Sequence, residues 1–288
     1  MHFVDSKGIL SSTNGMNIYR GCTHGCIYCD SRSVCYQMNH AFEDIQVKQN
    51  APELLENALI RKRKKCMIGT GSMSDPYMHC EKDLCLMQKC LEIIEKYGFG
   101  ATVITKSPLI LRDIDLLDRI NQKAKSVVQM TLTTFDENLC RILEPNVSTT
   151  FERYNVLKKF QEKNIPSVVW FTPVLPYIND SEQNLRGILE YCFDAGVKGI
   201  VCFGIGTTMR EGSREYFYKA LDRHFPGLKN EYIKKYGMAY ECPSDNSPYL
   251  MKIFHQQCQK YGVMHDVNQI FSYLHEFPAK EPVQLSLF

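Results

Sequence analysis

The amino-acid sequence predicts an α/β protein in which six strand–helix units close only part of a barrel. Short runs rich in valine, isoleucine and aromatic residues recur along the first two thirds of the chain, as buried strands require. Helix-like stretches separate these runs, and such alternation indicates crossovers between parallel strands. A closed eightfold barrel would need two further strands.

The predicted elements alternate from residue 16 onwards. We expect strands at residues 16–20, 66–70, 101–105, 127–132, 167–172 and 198–203. We expect helices at residues 51–63, 83–97, 113–123, 151–163 and 181–195. Asp113 and Ser181 are predicted N-caps, because their side chains can accept from the first free N–H groups of a helix. Gly98 and Gly196 are predicted C-terminal stops.

The pattern changes after residue 210. Three helices follow with no clear strand between them, at residues 214–224, 228–236 and 248–261. We therefore divide the chain into a barrel core at residues 1–210, a helical C-terminal extension at 211–277 and a flexible tail at 278–288. The prolines Pro278 and Pro282 favour an unstructured tail.

Composition and charge narrow the functional class. Hydrophobic residues make up 44% of the 288 residues and charged residues 23%, which is normal for a globular protein with a core. The net charge of +2 predicts no strong field for a polyanionic partner. No apolar run has the length of a membrane span, and the N-terminus lacks a signal-peptide pattern, so we expect a cytoplasmic protein with no membrane partner. In that compartment the 13 cysteines are buried apolar residues, catalytic thiols or metal ligands rather than disulfides.

Three cysteines directly after the first predicted strand form the strongest motif. Cys22, Cys26 and Cys29 can converge from one loop on a single iron–sulfur cluster. Gly21 and Gly25 would allow the loop to turn tightly. A cluster of four irons would keep one iron open for another ligand. The alternatives are three ordinary thiols or a zinc site, but zinc takes four ligands and no second C-x2-C pair exists in the chain.

This C-x3-C-x2-C pattern, with Tyr28 before its last cysteine, resembles the signature of the radical S-adenosylmethionine (SAM) superfamily. The resemblance implies a partial (βα)6 radical SAM barrel with a [4Fe–4S] cluster on Cys22, Cys26 and Cys29. It also implies that the amino and carboxylate groups of SAM chelate the open iron. One electron, from a flavodoxin- or ferredoxin-type donor, would cleave SAM to methionine and a 5′-deoxyadenosyl radical.

Further stretches resemble the spore photoproduct lyase-like group, or "DNA repair photolyase" family. They lie at residues 17–29, 74–77, 104–107, 111–117 and 143–145. This resemblance spans roughly residues 17–203 and implies a lyase or a modifying enzyme acting on DNA or nucleotides. It does not fix one reaction.

The resemblance also implies where SAM binds. Ser74 and Asp75 follow the second predicted strand, where the superfamily meets the SAM ammonium group, and a carboxylate with hydroxyls suits a cation. Lys106 ends the third strand, where a cation suits the SAM carboxylate. The alternative for each residue is ordinary turn or cap chemistry.

Two later strand ends complete the predicted SAM contacts. Thr133 is our candidate at the end of the fourth strand, where Thr131 and Thr134 are alternatives, for the SAM carboxylate or ribose. Gly204 and Gly206 end the sixth strand and could lie against adenine. Near the predicted loop mouths, the substrate-side candidates are Tyr77, His79, Arg210 and Tyr240.

One position departs from the lyase pattern. The resemblance places a hydrogen-donating cysteine two residues before the Ser-Asp pair, and this chain has Ser72 there. A serine O–H bond is too strong to release a hydrogen atom readily to a carbon radical. Reversal of a thymine dimer by that route is therefore doubtful.

Two stretches outside the barrel motifs suggest partners. Residues 61–65 are a basic block at a predicted helix C-terminus, where either solvation or phosphate contact explains the charge. The chain ends in Gln284-Leu285-Ser286-Leu287-Phe288, which resembles the Q-L-x-L-F peptide that docks on the bacterial sliding clamp. The alternative is an apolar end that packs on its own domain.

The predicted function is thus radical SAM chemistry in which a hydrogen is abstracted from a nucleic-acid-related substrate, in DNA repair or modification. One alternative is a radical SAM enzyme for a small molecule, a peptide or RNA. The other is a non-catalytic iron–sulfur protein that senses redox state or binds DNA. A sensor would need no SAM pocket, so the apparent SAM contacts disfavour it.

Overall fold

The structure is a computed structural model that describes residues 1–278. The predicted clamp-binding segment, Gln284 to Phe288, lies outside the described residues. The strands, in chain order, are β1 (His2–Val4), β2 (Gly15–Met16), β3 (Tyr19–Arg20), β4 (Gln46–Lys48), β5 (Met67–Thr70), β6 (Gly100–Thr105), β7 (Ser126–Thr131), β8 (Ser167–Trp170), β9 (Gly199–Val201), β10 (Gly206–Thr208) and β11 (Glu241–Pro243).

Helices connect the strands and cover the sheet. They are α1 (Ala51–Arg61), α2 (Glu81–Leu84), α3 (Leu86–Lys96), α4 (Ile114–Lys123), α5 (Glu137–Leu143), α6 (Thr150–Glu162), α7 (Glu182–Asp194), α8 (Ser213–His224), α9 (Leu228–Tyr236), α10 (Ser247–Tyr261) and α11 (Val267–His275). None of the helices in the described chain is both long and apolar enough to cross a membrane.

A six-stranded parallel sheet forms the centre of the molecule. Its order, β2-β5-β6-β7-β8-β9, follows the chain, and β2 and β9 remain as its two edges. Val103, Val128 and Ile200 on the strands belong to one buried cluster with Leu117 of α4 and Leu157 of α6. The predicted fold class, an open (βα)6 arrangement, is confirmed.

All four predicted helix boundaries lie where the structure has them, although one of them lacks the expected side-chain cap bond. The Ser181 hydroxyl caps α7 by accepting from Asn184 N, and Gly98 and Gly196 have positive φ after α3 and α7. Asp113 is the N-cap residue of α4, as predicted, but its carboxylate makes no cap bond. Buried and ionisable, it instead accepts from the Arg112 guanidinium, a stronger partner than a backbone N–H.

The first predicted strand, residues 16–20, is not one strand. Met16 ends β2 in the main sheet, whereas Tyr19 and Arg20 form β3, antiparallel to β4 in a three-stranded sheet with β1. Between them the Asn17 side chain accepts from Met73 N, and the chain changes sheets. An apolar run cannot reveal this switch, because both halves are buried.

The three helices predicted for the C-terminal extension are confirmed as α8, α9 and α10, but the extension also contains a short strand and a further helix that were not predicted. The strand β11 pairs antiparallel with β10, and α11 follows α10. Residues Glu241 and Pro243 are exposed on either side of buried Cys242, so a three-residue strand leaves almost no pattern. Ile270 and Leu274 of α11 pack in one cluster with Val127 and Val168 of the sheet.

Candidate functional site

A cavity of about 710 Å³ lies at the carboxyl ends of the parallel strands. It is lined by the cysteine loop after β3, by the turns after β5, β6, β8 and β9, and by the segment at residues 240–247. Parallel α/β folds place their sites at this edge, because the loops that vary converge there.

The cysteine loop brings three free thiols to this cavity. Cys22, Cys26 and Cys29 all line it, and none is in a disulfide. Gly21 has φ +90°, and a Cβ there would lie 2.4 Å from the Phe42 carbonyl oxygen, so only glycine fits this turn. That carbonyl accepts from Cys22 N at 3.0 Å, which fixes the start of the loop.

The donor set fits a cluster of several irons better than a single ion. The described residues contain one set of three ligand atoms within 4.8 Å of one another, and these cysteines are not in it. Their sulfur atoms are therefore spread more widely than the ligands of one zinc ion, whose bonds to sulfur are about 2.3 Å long. Burial raises the pKa of Cys22 to about 12 and also raises that of Cys26.

Asp75 connects the ends of two neighbouring strands. Its Oδ1 accepts from Tyr77 N at 2.8 Å and from the Thr105 hydroxyl at 2.6 Å, and its Oδ2 accepts from Lys106 N at 2.7 Å. The Ser74 hydroxyl donates to the Tyr19 carbonyl at 2.6 Å. Asp75 and Ser74 both line the cavity, and internal hydrogen bonds hold each in place.

Lys106 belongs to a buried ionic network beside the cysteine loop. Its Nζ lies 3.9 Å from Glu144 Oε1 and 5.7 Å from the centre of the Tyr28 ring, and Tyr28 donates its hydroxyl to Glu144. Burial lowers the pKa of Lys106, but electrostatic attraction to Cys26, in its thiolate form, and to Glu144 outweighs burial and raises this pKa. Lys106 therefore carries a positive charge on the cavity wall.

Arg153 completes this network and was not found from the sequence. It is fully buried in α6, pairs with Glu144 Oε2, and donates to the Thr131 carbonyl at 2.9 Å. Although burial alone would raise the pKa of Glu144, Arg153 and Lys106 lower it, so the carboxylate is ionised. The available signal was a charged residue on the apolar stripe of a helix, since Val156, Leu157 and Phe160 are buried beside it.

The structure does not bring Thr133 into the cavity. Its side chain is fully buried, and its hydroxyl lies 3.3 Å from that of Thr134, away from the lining residues. Its carbonyl accepts from Asn179 and Asn184. Thr131, the last residue of β7, lines the cavity instead.

Aromatic side chains form a further part of the cavity wall. Trp170 and Phe203 line the cavity with ring centres 6.1 Å apart, and Phe203 is 61% exposed. Gly204 and Gly206 lie beside them, as predicted for this strand end. The C-terminal extension contributes Tyr240 to the same wall.

The other sequence candidates lie at different depths. Ser72 lines the cavity and lies 3.5 Å from Asn17 Nδ2. Arg210 donates a hydrogen bond of 2.8 Å to the hydroxyl of Tyr240, which lines the cavity. Tyr77 and His79 instead line a second cavity of about 1030 Å³.

Comparison with known proteins identifies the class of enzyme. The family model of the radical SAM superfamily matches residues 16–188, more than half of the chain. This protein therefore belongs to the radical SAM superfamily and is a radical SAM enzyme. Members of this superfamily use a [4Fe–4S] cluster and SAM, and the three free cysteines at the cavity agree with that use.

Relatives in sequence extend beyond the barrel. An uncharacterized protein of Mycobacterium tuberculosis strain H37Rv is 28% identical over 232 residues, which cover 77% of this chain and 66% of that protein. An uncharacterized protein of Methanocaldococcus jannaschii is 32% identical over 169 residues, which cover 58% of this chain and 62% of that protein. The chain thus spans slightly less than two thirds of these relatives.

Solved structures of spore photoproduct lyase share the fold. A mutant with bound AdoMet and dinucleoside spore photoproduct superposes with a TM-score of 0.62 at 12% identity, over 86% of this chain and 74% of that chain. Another mutant gives a TM-score of 0.63 at 14% identity, over 92% of this chain and 78% of that chain. The expected spore photoproduct lyase-like assignment is confirmed at the level of the fold.

Proposed function

We propose that this radical SAM enzyme acts on a nucleobase within DNA or a nucleotide, in repair or modification. The observation that carries the proposal is the exposed ring of Phe203 beside Trp170 on the cavity wall. Flat aromatic surfaces of this kind stack on bases without regard to sequence. The proposal also draws on the shared fold of spore photoproduct lyase, whose structure holds a dinucleoside photoproduct.

The cavity charges favour entry of the base rather than its phosphates. Among the described lining residues, three carry carboxylates, Asp30, Asp75 and Glu241, and Lys106 carries the opposing amine. Asp30 pairs with Arg210 at 3.4 Å, and Asp75 and Lys106 would bind SAM. A phosphate inside would therefore face the carboxylate of Glu241, which is unpaired among the described residues, and repulsion is strong in a space with little water. We therefore expect a base to enter and the backbone to remain at the rim, as in enzymes that flip a nucleotide out of its stack.

The chain's own residues have separate roles in this proposal. Cys22, Cys26 and Cys29 would hold the cluster, and Asp75 and Lys106 would orient SAM by its ammonium and carboxylate groups. When bound, the cluster and SAM supply a 5′-deoxyadenosyl radical that takes a hydrogen atom from the substrate. The aromatic wall would exclude water and hold the base. The O–H bond of Ser72 is too strong to return the hydrogen atom, so the proposal gives Ser72 no role as a hydrogen donor.

The first experiment measures 5′-deoxyadenosine by anaerobic chromatography after cluster reconstitution, with SAM and dithionite. We expect UV-irradiated DNA to stimulate turnover of the wild type and the Phe203→Ala variant to lose at least tenfold of that stimulation. Phe151→Ala is the matched control, because Phe151 is an exposed phenylalanine away from the cavity. Equal stimulation of both variants would contradict the role of Phe203.

A second candidate is a cationic small molecule or peptide. Exposed Glu241 has no ion-pair partner in the described chain, and aromatic rings beside a carboxylate also suit an ammonium or guanidinium group. If 5′-deoxyadenosine forms but neither DNA, RNA nor nucleotides stimulate it, while arginine-rich peptides do, this second candidate is correct. The radical SAM assignment would stand in both cases.

We also propose two protein partners. A radical SAM enzyme needs a reductant, and we expect a flavodoxin- or ferredoxin-type donor. The sequence Gln284 to Phe288 supports docking to a bacterial sliding clamp, since its glutamine and terminal Leu-Phe pair match that peptide. This second partner would bring the enzyme to replicating or repaired DNA.

A further inference from the structure

A set of metal-binding side chains lies apart from the cysteine loop, between β1 and the segment before β4. One nitrogen each from His2 and His40 and a carboxylate oxygen of Asp44 all lie within 4.8 Å of one another. His2 Nδ1 is 2.9 Å from Asp44 Oδ2, and the two imidazole rings have centres 4.9 Å apart at 85°. Among residues 1–278, no other set of three such side chains meets this distance.

The hydrogen bonding of His40 leaves one of its ring nitrogens able to bind a metal ion. Its Nδ1 lies 3.0 Å from the Ala41 carbonyl, which can only accept, so Nδ1 carries the proton and Nε2 has the free lone pair. That Nε2 is buried and has no partner. Histidines that bind metals usually donate the other ring N–H to a carbonyl or carboxylate in this way. A buried nitrogen without a partner calls for a ligand.

We propose that His2, His40 and Asp44 form a site for a divalent metal ion of the zinc type. Two imidazoles and one carboxylate are ligands that Zn²⁺ accepts, with the fourth position left for water. The site is open to loading, because the side chains of His2 and Asp44 are 37% and 41% exposed. The Met1 ammonium lies 2.7 Å from Asp44 Oδ1, which leaves Oδ2 facing His2.

A metal ion here would fasten β1 to the segment that supports the cysteine loop. This segment contains Phe42, whose carbonyl accepts from Cys22 N and lies against Gly21. Arg32 stacks on the Phe42 ring at 4.3 Å and pairs with Glu43 at 2.6 Å. Restraint of this segment would therefore restrain the backbone of the first cluster cysteine, which gives the site a structural role.

The test uses the cluster-loaded protein, in which Cys22, Cys26 and Cys29 are occupied by iron. Zn²⁺ is titrated anaerobically by calorimetry, and zinc and iron are then measured by elemental analysis after desalting. We expect one zinc per chain and an affinity at least tenfold weaker in His40→Gln and in Asp44→Asn. The matched control is His255→Gln, because His255 and His265 form a histidine pair with ring centres 5.2 Å apart.

Iron content and circular dichroism report whether each variant folds. If His40→Gln folds poorly, Asp44→Asn decides the result, because asparagine keeps the shape of the side chain and removes its charge. Absence of saturable zinc binding in the wild type would overturn the proposal. So would an unchanged affinity in Asp44→Asn, or an equal loss in the His255→Gln control.

Discussion

At the scale of single residues, Glu144 is the centre of the site's electrostatics. It joins Tyr28 of the cysteine loop to Lys106 after β6 and to Arg153 in α6. The polar groups of these four residues are partly or fully buried. The network is therefore stable only while each buried charge has a partner. The carboxylate thereby holds the cysteine loop against the strand ends.

Replacing Glu144 with glutamine is expected to destabilise the fold by about 3–5 kcal/mol, since Arg153 would be left buried and uncompensated. The control Glu162→Gln removes an exposed pair with Lys159 and should cost less than about 1 kcal/mol. Urea unfolding of both variants measures the difference. A loss for Glu144→Gln no larger than that of the control would contradict the network.

The difference in unfolding free energy between the wild type and Glu144→Gln should become smaller at acid pH. The pKa of Glu144 is lowered in the folded protein, so its stabilising contribution is complete above the pKa of the unfolded chain, about 4.3. The contribution is lost as the pH falls through the folded-state pKa. Unfolding free energies of wild type and Glu144→Gln, measured from pH 7 downwards, should therefore converge below about pH 4.

Replacing a cluster cysteine should remove iron from the protein, whereas replacing the exposed Cys35 should not. Cys22→Ala should abolish the iron–sulfur absorbance and reduce iron to less than a tenth of the wild-type content, because a cluster bound by two thiolates is too weakly held. Cys35→Ala should leave both unchanged, since Cys35 is exposed and does not line the cavity. Iron analysis after anaerobic reconstitution measures the iron content of each variant. Equal iron in both variants would refute the assignment of Cys22 as a cluster ligand.

At the scale of elements, the contact between β10 and β11 shapes the cavity wall. A Cβ on Gly206 would lie 2.8 Å from the Cys242 carbonyl oxygen and 2.9 Å from Pro243 Cα, both of them backbone atoms that cannot move aside easily. Pairing of these strands holds Tyr240 and Glu241 beside the cavity. The C-terminal extension is therefore part of the site rather than an appendage.

Gly206→Ala is expected to lower stability by about 1–3 kcal/mol, because added volume in a close contact forces the backbone to shift. Gly8→Ala is the control, since a Cβ there meets nothing within 4 Å. Thermal unfolding measures the loss of stability, and cluster content should remain unchanged because β10 and β11 supply none of the three cluster cysteines. Equal stability of the two variants would show that the wall tolerates displacement.

At the scale of the whole molecule, SAM cleavage and the proposed clamp docking should depend on separate parts of the chain. Deletion of residues 284–288 is expected to abolish binding to a bacterial sliding clamp while SAM cleavage stays at the wild-type rate, because the cavity is built within residues 22–247. Surface plasmon resonance with immobilised clamp and the 5′-deoxyadenosine assay measure the two properties. Equal clamp binding by the truncated protein would disprove the docking role.

The sequence alone determined the features that depend on neighbouring residues. Cys22, Cys26 and Cys29 lie within eight residues, and the glycines that shape their loop are adjacent, so local spacing predicts the loop. The alternation of strands and helices likewise predicts the parallel sheet, because a strand buried on both faces needs a continuous apolar run. Asp75 and Lys106 line the cavity, as expected for residues at the carboxyl ends of neighbouring parallel strands.

Only the tertiary structure decided features that join distant residues. Tyr28 and Glu144 are 116 positions apart, and nothing in either segment specifies the other. Whether Thr131 or Thr133 lines the cavity depended on where β7 ends. The strand β11 exists because β10 supplies its hydrogen bonds. His2, His40 and Asp44 meet in the same way. Such contacts form only once the core is assembled. A short sequence pattern cannot predict them, because it contains only one of the two segments that come into contact.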